Sequence, residues 1–199
     1  MEQHEQQAQQ EQAGHWKTFL RDIVTILVIA GVIILVLQAV VQKFVVEGPS
    51  MNFTLHTGQQ LLVNKIVYHF HEPERGDVIV FHPPPEVDTD DYIKRIVGLP
   101  GERVTVTNGS VIIEKADGTY LELEEPYVTR NSDREYQGEV IPEGEYFVMG
   151  DNRPNSSDSR NGWTLEEENI IGKAWLSVWP PADWGLIANH DFDNQEESG

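Results

Sequence analysis

One long apolar segment constrains this chain more than any other feature. Between Ile23 and Val41, only Thr25, Gly31 and Gln38 interrupt the apolar residues. In a helix with a rise of about 1.5 Å per residue, the segment is roughly 28 Å long, which is enough to cross the hydrocarbon core of a bilayer. The segment therefore predicts a transmembrane helix.

Two other interpretations of this segment fit less well. A helix buried in a soluble core normally keeps one polar stripe, and this segment has none. A cleaved secretory signal has a shorter apolar core behind a basic leader. Here the leader, residues 1–14, is rich in Gln and Glu.

The basic residues beside the segment indicate its orientation. Lys17 and Arg21 precede it, and Lys43 follows it. Because basic residues favour the cytoplasmic side, this bias predicts a single-pass cell-membrane protein with a cytoplasmic N-terminus. The predicted organisation is a disordered cytoplasmic tail over 1–20, a transmembrane helix over 21–42, an extracytoplasmic domain over 43–185 and a solvated acidic tail over 186–199.

The composition excludes several classes of function. The 199 residues include no cysteine, so a disulfide, a thiolate nucleophile and a Cys-ligated metal are all impossible. The chain has 14 basic and 33 acidic residues, for a formal net charge of −19. Nucleic acid binding needs clustered lysine and arginine, so no nucleic-acid partner is expected.

The domain after the apolar segment has the pattern of an antiparallel β protein. Asn108-Gly109 separates two β-type runs, which is a strong hairpin signal, and Asp117-Gly118 indicates a second turn. Thr164 with Glu167 has the pattern of a helix capping box. The fold class predicted is mainly β, with an antiparallel, barrel-like sheet on one N-terminal transmembrane helix. The predicted strands are Leu61–Val67, Val78–Phe81, Tyr92–Val97, Arg103–Thr107, Glu145–Met149 and Ala174–Val178.

Ser50 and Lys94 form a candidate nucleophile and base. Lys94 lies inside an apolar strand-like run, where desolvation favours the neutral amine. A neutral amine can take the proton of a serine hydroxyl. Ser50 lies in the sequence Gly48-Pro49-Ser50-Met51, a few residues past the apolar segment.

Three segments together carry a family resemblance: Gly48–Met51, Tyr92–Gly101 and Gly150–Arg160. With Thr54-Leu55 and the run Arg75–Phe81, they resemble, in order and spacing, the bacterial type I signal peptidases. These are membrane-bound Ser-Lys peptidases that remove signal peptides from exported proteins. The likeness runs from the apolar segment to about Trp179 and is strongest to the short, single-span form of Gram-positive bacteria.

The resemblance implies a role for each matching residue. Ser50 would be the nucleophile and Lys94 the general base, and Ser156 would hydrogen-bond and orient the lysine amine. Four charged residues match positions that brace the site through ion pairs: Asp158, Arg160, Asp151 and Arg95.

The chain departs from the family pattern in two places near the nucleophile. Gly48 stands where larger relatives have a serine that helps to form the oxyanion hole, so the hole would use backbone N–H groups, including that of Ser50. Asn52-Phe53 stands where many members have a proline, which leaves the shape of the local turn open.

The resemblance also implies the partners. The substrates would be preproteins with Ala-x-Ala-type signal peptides, and the other partners would be the lipid bilayer and, as a candidate, the secretion translocon. No cofactor and no metal are expected. The implied substrate pockets comprise Phe44, Val46, Met51, Leu55, Leu61, Tyr92 and Ile93.

Several alternatives remain from the residues alone. A non-catalytic, membrane-anchored β domain that binds an extracytoplasmic partner would explain the anchor but not the Ser-Lys segments. His69 and His71 share a strand face and could hold a metal, or a histidine could serve Ser50 as base. The acidic run Asp88–Asp91 could bind calcium, although a solvated loop fits it better. A self-cleaving Ser-Lys regulator conflicts with the spanning segment.

Overall fold

The computed structural model describes residues 2–190 and residue 192. The chain divides into two compact units, residues 1–40 and 41–199. The elements, in chain order, are α1 Glu2–Val40, β1 Val41–Val45, β2 Gln60–Asn64, β3 Val78–Phe81, β4 Tyr92–Gly98, β5 Arg103–Thr107, β6 Ser110–Glu114, β7 Tyr120–Glu122, β8 Tyr136–Val140, β9 Glu145–Met149, β10 Leu165–Glu166, β11 Ile170–Trp179 and β12 Gly185–Leu186.

The first unit is the single helix α1. Its segment Phe19–Val40 has 22 residues and a mean hydropathy of 3.0, so it is long and apolar enough to cross a membrane. None of that segment is buried, which argues against the core-helix alternative. The predicted disordered tail is wrong for residues 2–20, which are helical, because Gln, Glu and Ala favour a helix. Residue 1 lies outside the described residues.

The second unit contains two antiparallel sheets, so the prediction of a mainly β, antiparallel, barrel-like domain is confirmed. The larger sheet has the strand order β1-β2-β11-β3-β4-β9-β10, with β12 beside β11. The smaller sheet has the order β7-β6-β5-β8. The hairpin between β5 and β6 forms as predicted, and Asn108 and Gly109 both adopt the positive φ that its tight turn requires.

Both predicted boundaries of the domain differ from the observed ones. The helix ends at Val40 and β1 begins at Val41, because Val41 and Gln42 pair with β2. The prediction of a solvated tail from residue 186 is wrong for Ile187 and Phe192, because their apolar side chains are buried in the core. The rest of that tail, residue 191 and residues 193–199, lies outside the described residues.

Two local predictions are also wrong. The β-type run Leu61–Val67 ends as a strand at Asn64, whose side chain accepts the Ile66 N–H at 3.1 Å and starts a turn. The capping box does not form, because the Thr164 hydroxyl donates to the Glu145 carboxylate instead. A short strand, β10, and a single 3₁₀ turn, Glu167–Asn169, occupy that region.

The fold places the chemical groups at the middle of the larger sheet. β4 lies between β3 and β9: Lys94 pairs with Ile79 of β3, and the next residue, Arg95, pairs with Met149 at the end of β9. β9 ends at Met149 and leads directly into the segment from Gly150 to Arg160. The loop after β1 carries Ser50. Three segments distant in sequence therefore meet at one place.

Candidate active site

Ser50 lies in a tight loop that starts after β1. Gly48 has a φ of +76°, which favours glycine, and the Asn52 N–H donates to the Pro49 carbonyl at 3.0 Å. The Met51 side chain is buried in the core and anchors the loop there, and the Met51 carbonyl accepts the Leu55 N–H at 2.8 Å. At the place where the sequence departs from the family pattern, Phe53 turns the chain with a φ of +85°.

Lys94 and Ser50 are in direct contact. The Lys94 Nζ lies 3.0 Å from the Ser50 Oγ and 3.0 Å from the Ile93 carbonyl oxygen. It also lies 4.5 Å from the centre of the Tyr92 ring. Lys94 is the one hydrogen-bond partner of the Ser50 hydroxyl among the described residues, so no described histidine occupies the place of a base.

Burial of Lys94 shifts its protonation toward the neutral amine. The residue is only 4 % exposed. Burial lowers its pKa from 10.5 to about 8, and the negative charges of Asp158 and Asp151 oppose this shift without cancelling it. At neutral pH about one molecule in ten then carries the free amine. The site supplies a base near the operating pH, as proton transfer requires.

The two carboxylates are held by buried arginines rather than by the lysine. The Asp158 carboxylate accepts hydrogen bonds from the Arg160 Nε and Nη2, both at 2.8 Å. The Asp151 carboxylate accepts hydrogen bonds from the Arg95 Nε at 3.0 Å and Nη2 at 2.8 Å. Burial alone would raise the pKa of Asp158, but the hydrogen bonds and the charge of Arg160 lower it below its usual value. Each carboxylate is thus paired with a buried guanidinium, which offsets the cost of burying its charge.

Ser156 does not make the contact that the resemblance implies. Its Oγ is buried and forms no well-aligned hydrogen bond within the described residues, although it is close enough to Asp158 to help lower the pKa of that carboxyl. The expected hydrogen bond between Ser156 and the Lys94 amine is absent from this structure. Its orienting role therefore stays a prediction.

Gly150 is a site residue that sequence reasoning missed. A Cβ on Gly150 would lie only 2.5 Å from the Ser50 carbonyl oxygen and would overlap the Ser156 Oγ. Only glycine lets the end of β9 pass between these two serines. Its place as the first residue of the Gly150–Arg160 segment is the signal that could have identified it.

A cleft with a volume of about 550 Å³ opens over Ser50 and Lys94. Five of the residues expected in the substrate pockets line it: Phe44, Val46, Leu61, Tyr92 and Ile93. The other two are corrections, because the loop turns Met51 and Leu55 into the core, where they are 0 % and 2 % exposed and do not line the cleft.

Acidic residues also line this cleft, which the sequence analysis did not expect. Asp88, Asp90 and Asp91 lie in the predicted loop, where Asp90 and Asp91 are exposed, and all three also line the cleft. Their position in the sequence could have indicated this, because they directly precede β4, which carries Tyr92 and Lys94. Within the described part of the chain, no three His, Asp or Glu side chains are grouped so that they could hold a metal ion.

Comparisons with known proteins place this arrangement in a family. The family model described as signal peptidase, peptidase S26, matches residues 17–179. The chain belongs to the signal peptidase family, peptidase S26. The resemblance drawn from the sequence is thus confirmed, and the chain is a peptidase, a hydrolase of peptide bonds.

Named relatives of this signal peptidase cover nearly the same length. The chain is 38 % identical to the probable signal peptidase I-1 of Synechocystis sp., covering 87 % of this chain and 90 % of that protein. It is 32 % identical to signal peptidase IB of Staphylococcus aureus, covering 89 % and 96 %. A crystal structure of a signal peptidase I from Enterococcus faecalis V583 aligns with a TM-score of 0.44 and 30 % identity, over 52 % of this chain and 97 % of that one.

Proposed function

We propose that this protein is a membrane-bound serine endopeptidase that removes N-terminal signal peptides from exported preproteins at the outer face of the cell membrane. Ser50 is the nucleophile and neutral Lys94 is the general base. The observation that carries the proposal is the 3.0 Å distance between the Lys94 Nζ and the Ser50 Oγ, at an amine that is almost fully buried. Family membership gives the class of substrate.

Acylation begins with a proton transfer between these two side chains. The neutral Lys94 amine takes the hydroxyl proton of Ser50 as the Oγ forms a bond to the scissile carbonyl carbon. The π electrons of the carbonyl move onto its oxygen, which the Ser50 N–H stabilises. When the tetrahedral intermediate collapses, the C–N bond breaks and the Lys94 ammonium gives its proton to the leaving amine. The signal peptide stays as an ester on Ser50.

Deacylation repeats the step with water. The Lys94 amine, neutral again, takes a proton from a water molecule whose oxygen adds to the ester carbon. The C–O bond to Ser50 then breaks, and the proton returns from Lys94 to the Ser50 Oγ. The two Asp-Arg pairs keep the surrounding backbone fixed through both steps.

The cleft supports an extended substrate. Among the residues that the structure describes, β1 pairs with a strand only on its β2 side, and it ends beside the cleft, so a peptide can add along this edge. Alternate side chains of an extended peptide point the same way, and small ones fit shallow apolar pockets. Phe44, Leu61 and Ile93 provide such walls, in agreement with an Ala-x-Ala-type cleavage site.

The anchor supports a location at the membrane surface. Ser50 follows the end of the apolar helix at Val40 by ten residues, so the chemistry stays near the lipid boundary. A signal peptide holds its own apolar core in the bilayer and exposes the cleavage site just beyond it. Lys17 and Arg21, against Lys43, favour a cytoplasmic N-terminus. Besides the lipid bilayer, the secretion translocon is the candidate neighbour.

Two substitutions at the dyad test this function. Purified full-length protein in detergent is incubated with a preprotein, and Ser50→Ala and Lys94→Arg are expected to lower cleavage by at least about 1,000-fold. The arginine variant fails because a guanidinium stays protonated. Ser132→Ala and Lys115→Arg, which lie outside the cleft, serve as controls with unchanged cleavage. Appreciable activity of either dyad variant would overturn the role proposed for that residue, whereas a parent protein that cleaves nothing would favour the non-catalytic binding domain.

A further inference from the structure

Asn152 contacts the nucleophile loop at two neighbouring carbonyls. Its side-chain Nδ2 donates to the Pro49 oxygen at 2.9 Å, and its backbone N–H donates to the Ser50 oxygen at 3.0 Å. The residue is 5 % exposed and does not line the cleft. It therefore holds the loop from behind, where it cannot touch a substrate.

These two hydrogen bonds fix both peptide groups that flank Ser50. The Pro49 oxygen accepts the Asn152 side chain and also the Asn52 N–H at 3.0 Å, so it has two donors. The peptide bond from Pro49 to Ser50 is trans, so the Ser50 N–H points away from this anchored oxygen within one rigid plane. Fixing the oxygen thus fixes the direction of the N–H.

The Ser50 N–H is itself left without a partner. Across residues 2–190 and 192 it donates to no acceptor, while Ser50 lines the cleft. An unpaired donor in this place is what a developing oxyanion needs, and a donor that is already oriented costs no reorganisation during the reaction.

We propose that Asn152 is a positioning residue for the transition state. Its side chain clamps the Pro49–Ser50 peptide plane so that the Ser50 N–H stays aimed at the oxyanion. This inference rests on the proposed function, since it needs Ser50 to be the nucleophile. It predicts that loss of the side-chain donor affects the chemical step rather than substrate binding.

Asn152→Ala is the variant that tests the clamp. It removes the side-chain donor to the Pro49 oxygen but keeps the hydrogen bond from the backbone N–H of residue 152 to the Ser50 carbonyl oxygen. Steady-state kinetics are measured on the full chain in detergent with a soluble peptide that contains an Ala-x-Ala site. We expect kcat to fall about 10- to 100-fold, which is less than the loss on removing an oxyanion donor outright. KM is expected to stay within about twofold, and the midpoint of the acid limb of the pH profile to stay in place.

Two further variants separate positioning from stability and packing. Asn64→Ala removes a half-buried asparagine outside the cleft, whose side chain accepts a backbone N–H, and its kcat per folded molecule should be unchanged even where its Tm falls. Asn152→Leu restores volume but not the donor, and it should be as slow as Asn152→Ala.

Each contrary result has a distinct meaning. The inference is overturned if kcat of Asn152→Ala stays within about twofold of the parent value, if the loss matches the unfolded fraction, if only KM rises, if the acid limb moves, or if Asn152→Leu recovers full activity. Those outcomes leave the proposed function standing as long as Ser50→Ala is inactive. If Ser50→Ala still cleaves, the proposed function itself fails, whatever the Asn152 variants do.

Discussion

In the proposed mechanism, the charge of the Lys94 amine decides whether the site can act. Burial is the larger influence and removes the proton, while Asp158 and Asp151 favour keeping it. The net result is a pKa of about 8, and only the deprotonated amine can take the Ser50 proton. The two Asp-Arg pairs limit how far the carboxylates raise this pKa, since each negative charge is already compensated.

The pH dependence of cleavage follows from this value. Because protonation removes the base, kcat/KM should fall about tenfold for each pH unit below about 8 and reach a plateau above it. The measurement is a pH profile from 6 to 10 with a peptide that carries no titrating group in this range. A profile that is flat down to pH 6, with the protein folded throughout, would show that Lys94 is not the base.

At the scale of the elements, local patterns predicted the strands and long-range contacts decided the site. β5 follows from alternation, β3 and β9 follow from short apolar runs, and the turn between β5 and β6 follows from Asn108-Gly109. β1 did not, because Val41 continues the apolar run and becomes a strand only by pairing with β2. Likewise, Met51 lies in the core because of the shape of the whole loop around it, and a periodic sequence pattern does not predict the shape of a loop.

The junction after β9 offers a test of packing at the site. Gly150→Ala would place a methyl group against the Ser50 carbonyl oxygen and the Ser156 Oγ. Overpacking of this kind costs about 1–3 kcal/mol, and the shift of Ser50 should lower kcat/KM by more than about tenfold. Gly118→Ala is the control: its φ of +83° strains an alanine, which Gly150 does not require, but open space surrounds it, so this variant should lose stability only. Equal activity of the two variants would contradict this close contact.

At the scale of the whole molecule, the chain divides into an apolar helix and a β domain, and the cleft over Ser50 and Lys94 lies in the β domain. The length and apolarity of the segment from Ile23 to Val41 predicted the anchor, and the family resemblance predicted the Ser-Lys chemistry. Neither predicted the acidic lining of the cleft, because Asp88, Asp90 and Asp91 come to line the same cleft as Ser50 only in the folded domain. Membrane attachment is thus separable in principle from chemistry.

Removal of residues 1–40 tests that separation. The shortened chain keeps β1, which begins at Val41, so its kcat/KM for a soluble Ala-x-Ala peptide should stay within about threefold of the full chain. Cleavage of a preprotein inserted in lipid vesicles should fall at least about 100-fold, since anchor and substrate no longer share one surface. Replacing residues 19–40 by an unrelated 22-residue apolar helix should restore it, because only confinement to the bilayer is needed. If the shortened chain processed the vesicle-bound preprotein at the full rate, the anchor would have no part in presenting the cleft to its substrate.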